Sequence, residues 1–438
     1  MAAWAGQRGK RAIRAAGAVL VAALLWAALT DDVRVWPARN VAQYHVVKWW
    51  WSVAGTPAPP ATGTLRGVVR DTKGDPIPGA RALVTWWDGT AYDATSAADG
   101  SYVISPVPAG PYLPVAGAPG YADVVLGNPW LPWTYVRVAP ALETHADAVL
   151  PAEVAREVAP GRNLVVGEPV TLDCAVPLAS TAVRRRITFD SGGRASQLTS
   201  LYTPPEEEDA APAAPWPLLL IVYPGPPDEW ECVSLPLAAA GYAVVTLGPA
   251  YSFDLEPDVD ELARLLEFAR AGRLPGADAG RVGLLGGSYS ALHIQRLLQR
   301  ARGAPLGRQI GAVVLLGPPS DIFDVRRRLE QGTFVPPFGL DQALISLGFP
   351  DREPLRYWRY SWAFHVYREL PPVALIHSRQ DEVVPFQQSE RLAAALARMG
   401  APHELHVLEG ASHYLLSDAG EAVDVYHLTL AFLGRYLR

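Results

Sequence analysis

The chain has 438 residues, half of them hydrophobic and 19% charged, and a formal net charge of −6. That length predicts roughly three domains or segments, with enough apolar material to bury large cores. The lack of a basic excess argues against a nucleic-acid partner, and with no C-x-x-C or H-E-x-x-H pattern nothing calls for a metal or another cofactor.

Residues 1–30 form a basic flank (Arg8, Lys10, Arg11, Arg14) and an uncharged run from Ala15 to Thr30. As a helix that run spans about 24 Å, a little short of a hydrocarbon core of about 30 Å, unless Arg14 snorkels and Ile13 joins the span. It reads as a membrane-anchor helix, with a cleaved signal segment and a soluble core helix as the alternatives. Both membrane readings keep the basic flank inside and export the rest of the chain. Cys174 and Cys232 then either pair in an oxidising compartment or stay as buried thiols.

Residues 31–62 hold a tryptophan-rich stretch (Trp36, Trp49, Trp50, Trp51) with Val41, His45 and Lys48 at helical spacing, then a stiff linker from Thr56 to Thr62. The indoles suit either a juxtamembrane segment at headgroup level or packing onto a neighbouring domain.

From residue 63 to 150, short β-type runs (Leu65–Val69, Ala82–Trp86, Tyr102–Ile104, Tyr121–Leu126, Tyr135–Val138) alternate with Gly/Pro turns, the pattern of an all-β sandwich. The stretch Gly67 to Ala80, followed by Ala98-Asp99-Gly100-Ser101-Tyr102, Val107-Pro108-Ala109-Gly110 and Pro119-Gly120-Tyr121, resembles the carboxypeptidase regulatory-like domain. The resemblance implies a transthyretin-like accessory module, a rigid spacer or a ligand-binding unit, and no carboxypeptidase chemistry.

Residues 151–182 form a transition segment. Beyond it, 183–438 begins with a hairpin (Arg186–Phe189 and Ala195–Tyr202) and a solvated acidic loop from Pro204 to Ala214. Strands at Leu218–Tyr223, Ala243–Leu247, Val282–Leu285, Ala312–Leu316, Val373–Ile376 and Glu404–Val407 then alternate with helices at 258–272, 289–302, 387–399 and 422–437. Such alternation predicts a doubly wound α/β sheet with ligands at the carboxyl ends of its strands.

One turn at such an end carries the chemistry. The strand ending at Leu285 breaks at Gly286-Gly287, and Ser288-Tyr289-Ser290 opens a helix, so the Ser288 hydroxyl is exposed on a sharp bend with helix N–H groups beside it. The stretch resembles the α/β-hydrolase nucleophile elbow G-x-S-x-G, with Ser290 in place of the last glycine. His377-Ser378-Arg379-Gln380-Asp381-Glu382-Val383-Val384-Pro385 resembles the family's acid segment H-G-x-x-D-x-x-V-P, with Ser378 for glycine. Asp381 is therefore the expected acid, with Glu382 and Asp321 as fallbacks. His413, in the loop after the last strand, falls where the family's general base lies. His293, His403, His406 and His427 read as structural, and His377 as a residue that shapes the acid loop.

Residues 183–438 are similar to the prolyl oligopeptidase and dienelactone hydrolase branch of this superfamily. Tyr223-Pro224-Gly225-Pro226 resembles its Tyr-x-Gly-Pro stretch, which implies an oxyanion hole from the Tyr289 backbone N–H and the Tyr223 hydroxyl, unless Tyr223 packs in the core. An aromatic insertion near 318–370 (Phe334, Phe338, Tyr357, Trp358, Tyr360, Trp362, Phe364, Tyr367) reads either as a lid or as packing onto the body. The order Ser288, Asp381, His413 is that of the fold. The implied function is that of an exported, membrane-held serine hydrolase, an esterase or a peptidase, acting on a small ester or short peptide. The small sandwich cannot form the β-propeller of those peptidases. The alternative is a catalytically inactive surface-binding protein on the same scaffold.

Overall fold

The computed structural model describes residues 30, 32, 34–58, 61–154, 161–191, 193–196, 199–205, 215–249, 254–304, 307–337, 339–415 and 422–438. The expected anchor run before Thr30, Phe338 and most of the acidic loop lie outside the described residues. Among those described, no helix is long and apolar enough to cross a membrane.

Two compact units result. The first takes the chain up to Gly117, Asp123–Leu150 and Arg326–Tyr357; the second takes Ala118–Ala122, Pro151–Val325 and Trp358–Arg438. Residues 326–357, expected within the hydrolase insertion, thus group with the N-terminal unit.

In the first unit the strands are β1 (Thr62–Asp71), β2 (Arg81–Thr85), β3 (Ala91–Thr95), β4 (Ser101–Pro108), β5 (Gly110–Tyr112), β6 (Val115–Gly117), β7 (Val124–Val125), β8 (Val136–Val138), β9 (Glu143–His145) and β10 (Ala148–Leu150). One sheet runs β10-β1-β4 with β9 also on β1, a second runs β3-β2-β6-β7, and β5 pairs with β8. Alternation along β1 buries Leu65 and Val69, the half-buried pattern of a sandwich strand. Gly67 is required: a Cβ there would stand 1.9 Å from the Ala146 carbonyl oxygen. A helix, Trp36–Ala54, precedes the sandwich and closes against the segment around Ser346 and Phe349.

The second unit carries β11 (Arg162–Val166), β12 (Val170–Cys174), β13 (Ser180–Ser191), β14 (Arg194–Ala195), β15 (Thr199–Thr203), β16 (Trp216–Val222), β17 (Ala243–Leu247), β18 (Ala277–Gly287), β19 (Ile310–Leu316), β20 (Val373–Ser378) and β21 (His403–Leu408). They form one sheet, ordered β11-β13-β15-β17-β16-β18-β19-β20-β21, with β12 and β14 also on β13. The expected hairpin is there as antiparallel β13 and β15. From β17 through β21 every pairing is parallel. The transition segment is not a mere connector, because β11 and β12 both pair antiparallel with β13.

The continuous apolar run of β16 is explained by layers on both faces. Leu218, Leu220 and Val222 join a core with the helices Glu256–Arg270, Ala291–Ala301 and Gln387–Met399. Leu219 and Ile221 join the opposite core, with the helices Glu231–Ala239 and Ala422–Leu437. Trp362 and Tyr367 of the insertion are buried in the first of these cores, so these two pack onto the body. The order reverses at β16, with β17 on one side and β18 on the other, and a crevice opens at the carboxyl ends of strands at such a switch.

Cys174, at the end of β12, is disulfide-bonded to Cys232 in the helix Glu231–Ala239, with Cα atoms 5.5 Å apart. This decides between the two readings left open for the cysteines. Closing a loop of 58 residues restricts the unfolded chain, so replacing both cysteines by serine should cost on the order of 2–4 kcal/mol. A lower denaturant midpoint at unchanged slope would show the loss; an unchanged midpoint would show that the crosslink contributes nothing.

Candidate active site

Ser288 follows β18 directly and starts a short 3-10 turn that leads into the helix Ala291–Ala301. Its φ of 51° lies in the left-handed region, which a residue with a Cβ enters at a cost of about 1–3 kcal/mol. That bend is what a nucleophile elbow requires. The two glycines before it are dictated by packing. A Cβ on Gly286 would lie 2.8 Å from Ile294 Cγ1, and one on Gly287 would lie 1.9 Å from Tyr223 Cε2. Ser290, at the position of the missing third glycine, is fully buried.

His413 reaches Ser288 from the loop after β21. Its Nε2 is 2.8 Å from Ser288 Oγ and its Nδ1 is 2.7 Å from Asp381 Oδ2. With the Nδ1 proton donated to the carboxylate, Nε2 is left as a base that accepts the serine hydroxyl. All three side chains are buried, and the sequence order Ser288, Asp381, His413 becomes one hydrogen-bonded line.

Asp381 is held from several directions. Its Oδ1 accepts the backbone N–H groups of Val383 (2.8 Å) and Val384 (2.7 Å). Its Oδ2 also lies 3.1 Å from His377 Nε2. Burial pushes this carboxyl up, but hydrogen bonds from His377 and His413 outweigh it and hold Asp381 well below the usual carboxylate range. The carboxylate therefore stabilises the fold above about pH 4, and that contribution fades as pH falls through its lower folded value.

His377 does more than shape a loop. Its Nε2 is 3.0 Å from the Val384 carbonyl oxygen, an acceptor, so this nitrogen carries the proton, while Nδ1 is 2.8 Å from Ser389 Oγ. Ser378, standing where the family has glycine, donates its hydroxyl to the Ala411 carbonyl and so ties the acid loop to the histidine loop. The fallback acids are engaged elsewhere. Glu382 accepts the His413 backbone N–H at 3.2 Å, and Asp321 pairs with Arg391 at 2.9 Å. Asp321 also bonds Gln388 through its backbone. His293, His403 and His406 contact Asp258, the Ala401 carbonyl and Glu404, away from the serine.

Tyr223 follows β16; its ring lies against Gly287 and 5.8 Å, centroid to centroid, from Trp230. Tyr289 follows the serine and meets His293 edge-on at 5.3 Å. Gly317, at the end of β19, was not legible as a site residue. Its φ is 53°, and a Cβ there would stand 3.1 Å from Asp381 Oδ2 and 3.4 Å from the His413 ring. A side chain at this left-handed turn would crowd the Asp381–His413 pair.

Residues 324–438 match the prolyl oligopeptidase family, and residues 64–151 match the carboxypeptidase regulatory-like domain. Over residues 324–438, the stretch that holds Asp381 and His413, the sequence thus follows that of the prolyl oligopeptidase family. An uncharacterized peptidase of Bacillus subtilis (strain 168), YuxL, is 27% identical to this chain over 224 residues, 46% of the chain and 31% of YuxL. The chain therefore spans less than a third of that relative's length, 31%. Among solved structures, Pyrococcus horikoshii acylaminoacyl peptidase aligns with a TM-score of 0.46 and 16% identity, covering 82% of this chain and 54% of that one. Thermogutta terrifontis esterase Est2 with butyrate bound aligns with a TM-score of 0.41 and 18% identity, covering 54% and 89%. In the second unit the carboxyl edge of the large sheet gathers Tyr223, Ser288, Gly317, Asp381 and His413.

The contact of Tyr223 with Gly287 can be tested without a substrate. Gly287→Ala should cost about 1–3 kcal/mol by overpacking, and Tyr223→Ala in the same chain should recover much of that loss. Thermal unfolding of the two single variants and the double variant gives the coupling. Simple additivity would mean that the ring does not press on this glycine.

Proposed function

We propose that the protein is a serine hydrolase that cleaves the acyl bond of a small ester or a short peptide through an acyl-enzyme on Ser288. The observation that carries this reading is the unbroken line Asp381–His413–Ser288, with bonds of 2.7 and 2.8 Å, ending on a serine in a left-handed bend. The match of residues 324–438 to the prolyl oligopeptidase family supports the same reaction class.

In the proposed mechanism Ser288 Oγ attacks the substrate carbonyl carbon while His413 Nε2 takes its proton. Asp381 fixes the imidazole tautomer and stabilises the imidazolium. The tetrahedral oxyanion is met by the Tyr289 backbone N–H and the Tyr223 hydroxyl. Collapse expels the alcohol or amine, which takes the proton from His413. Water, deprotonated by His413, then releases the acid and restores the serine.

Ser288→Ala and His413→Ala should each lower kcat by about 10⁴–10⁶-fold, and the double variant should lose little more, because either loss already disables attack. Asp381→Asn should be impaired less completely, since the imidazole can still reach its working tautomer part of the time. A fluorophosphonate probe should label Ser288; with no labelling, or with label on another serine, the inactive-scaffold reading or a different nucleophile would replace this one. Comparing p-nitrophenyl acyl esters with peptide p-nitroanilides separates esterase from peptidase.

Tyr223→Phe removes only the hydroxyl and leaves the ring that packs on Gly287. A drop in kcat on the order of 10²-fold with unchanged unfolding temperature would assign the hydroxyl to the oxyanion. Near-normal kcat would make Tyr223 a packing residue alone.

A further inference from the structure

The helix Trp36–Ala54 divides its aromatic residues between two faces. On one face Trp36 and Asn40 are buried, and Asn40 Nδ2 donates to the Ser346 carbonyl at 2.9 Å. Tyr44 and Trp51 each lie 5.7 Å from the Phe349 ring, and Trp51 lies 4.5 Å from Trp87. Lys48 pairs with Glu330 at 3.1 Å. These residues belong to the first unit and account for that face.

On the other side Val46, Trp49, Trp50 and Val53 are 65%, 66%, 58% and 70% exposed. Their spacing of i, i+3, i+4 and i+7 makes one continuous stripe. Arg39 lies seven residues before Val46, on the same side, and its guanidinium sits 4.9 Å from the Trp130 ring, which is itself 42% exposed. Trp130 is thus a further partly exposed indole near the amino-terminal end of the helix. The helix has no Asp or Glu, and its fixed charges are Arg39 and Lys48.

The chain just ahead of this helix narrows the choice of occupant. The uncharged run Ala15–Thr30, with Arg8, Lys10, Arg11 and Arg14 before it, ends six residues before Trp36. Six extended residues reach at most about 21 Å. If the run enters a bilayer, the helix cannot leave the bilayer surface by more than that, and its stripe is delivered to the headgroups at high effective concentration. Indoles prefer that layer, where the ring is dry and its N–H is wet.

We propose that Val46, Trp49, Trp50 and Val53 seat this helix in the headgroup region of a phospholipid bilayer, with the helix lying along the surface. The Cys174–Cys232 disulfide suits the exported side of that membrane. The proposal is independent of the hydrolase reading, and its readout is not activity.

The test uses the full chain in vesicles of phosphatidylcholine and phosphatidylglycerol, with and without phosphatidylcholine brominated in the upper acyl chain. Trp4→Phe and Trp26→Phe first remove the indoles in and before the uncharged run. In this background bromolipid should quench tryptophan emission, and Trp49→Tyr with Trp50→Tyr should remove most of the quenched fraction. Both side chains are exposed, so the unfolding temperature should not change. Quenching that survives the double substitution would overturn the proposal. So would chemical crosslinking that finds a dimer lost in the double variant while quenching is unaltered, which would make the occupant a second copy of the chain.

Discussion

Everything at the carboxyl edge of the large sheet depends on a left-handed backbone at Ser288, with φ 51°. A residue with a Cβ stays there only if its surroundings leave no alternative. The constraint comes from both sides. From Val282 onward β18 is paired with β16 on one side and β19 on the other, which holds its end in place. The helix that follows packs so closely that Gly286 has no room for a side chain against Ile294. The bend carries the chain from that strand into that helix and sets the serine hydroxyl against His413.

The second dependence is electrostatic. A buried carboxylate is costly unless its oxygens are satisfied, and Asp381 takes four donors: two backbone N–H groups and two imidazoles. With so many partners its rotamer is fixed, and so is the imidazole that it orients. His377 is fixed in turn by Ser389, and Ser378 binds the loop that bears His413. The positioning of the base is thus distributed over β20, the helix Gln387–Met399 and the loop after β21, rather than resting on a single contact.

Ser288, Asp381 and His413 were legible because the signals for strand, turn and helix are local. Each residue follows an apolar run, and parallel strands bring such residues to one edge. The same locality explains what was missed. β11 and β12 are short and half-exposed, with Val165 and Val170 facing water, so no long buried apolar run announced them. Gly317 and His377 matter through contacts between loops far apart in sequence, which spacing does not encode. Asp321 looked suitable as an acid by position, but its ion pair with Arg391 depends on how a helix docks, again a tertiary fact. The insertion aromatics could not be divided in advance, because lid and core packing need the same residue types; Trp362 and Tyr367 proved to be core.

The joining of β11 and β12 to the sheet changes where the catalytic module can be cut. Excision at Val183, the first residue of the expected hydrolase domain, would sever β13 and remove both strands that cover its outer edge. The bared backbone would offer unpaired N–H and C=O groups to any neighbouring strand, the usual start of edge-to-edge aggregation. It would also leave Cys232 without Cys174. A fragment meant to carry the hydrolase alone has to begin upstream of Arg162, so the stretch between the two modules is inherited with the enzyme rather than serving as a dispensable spacer.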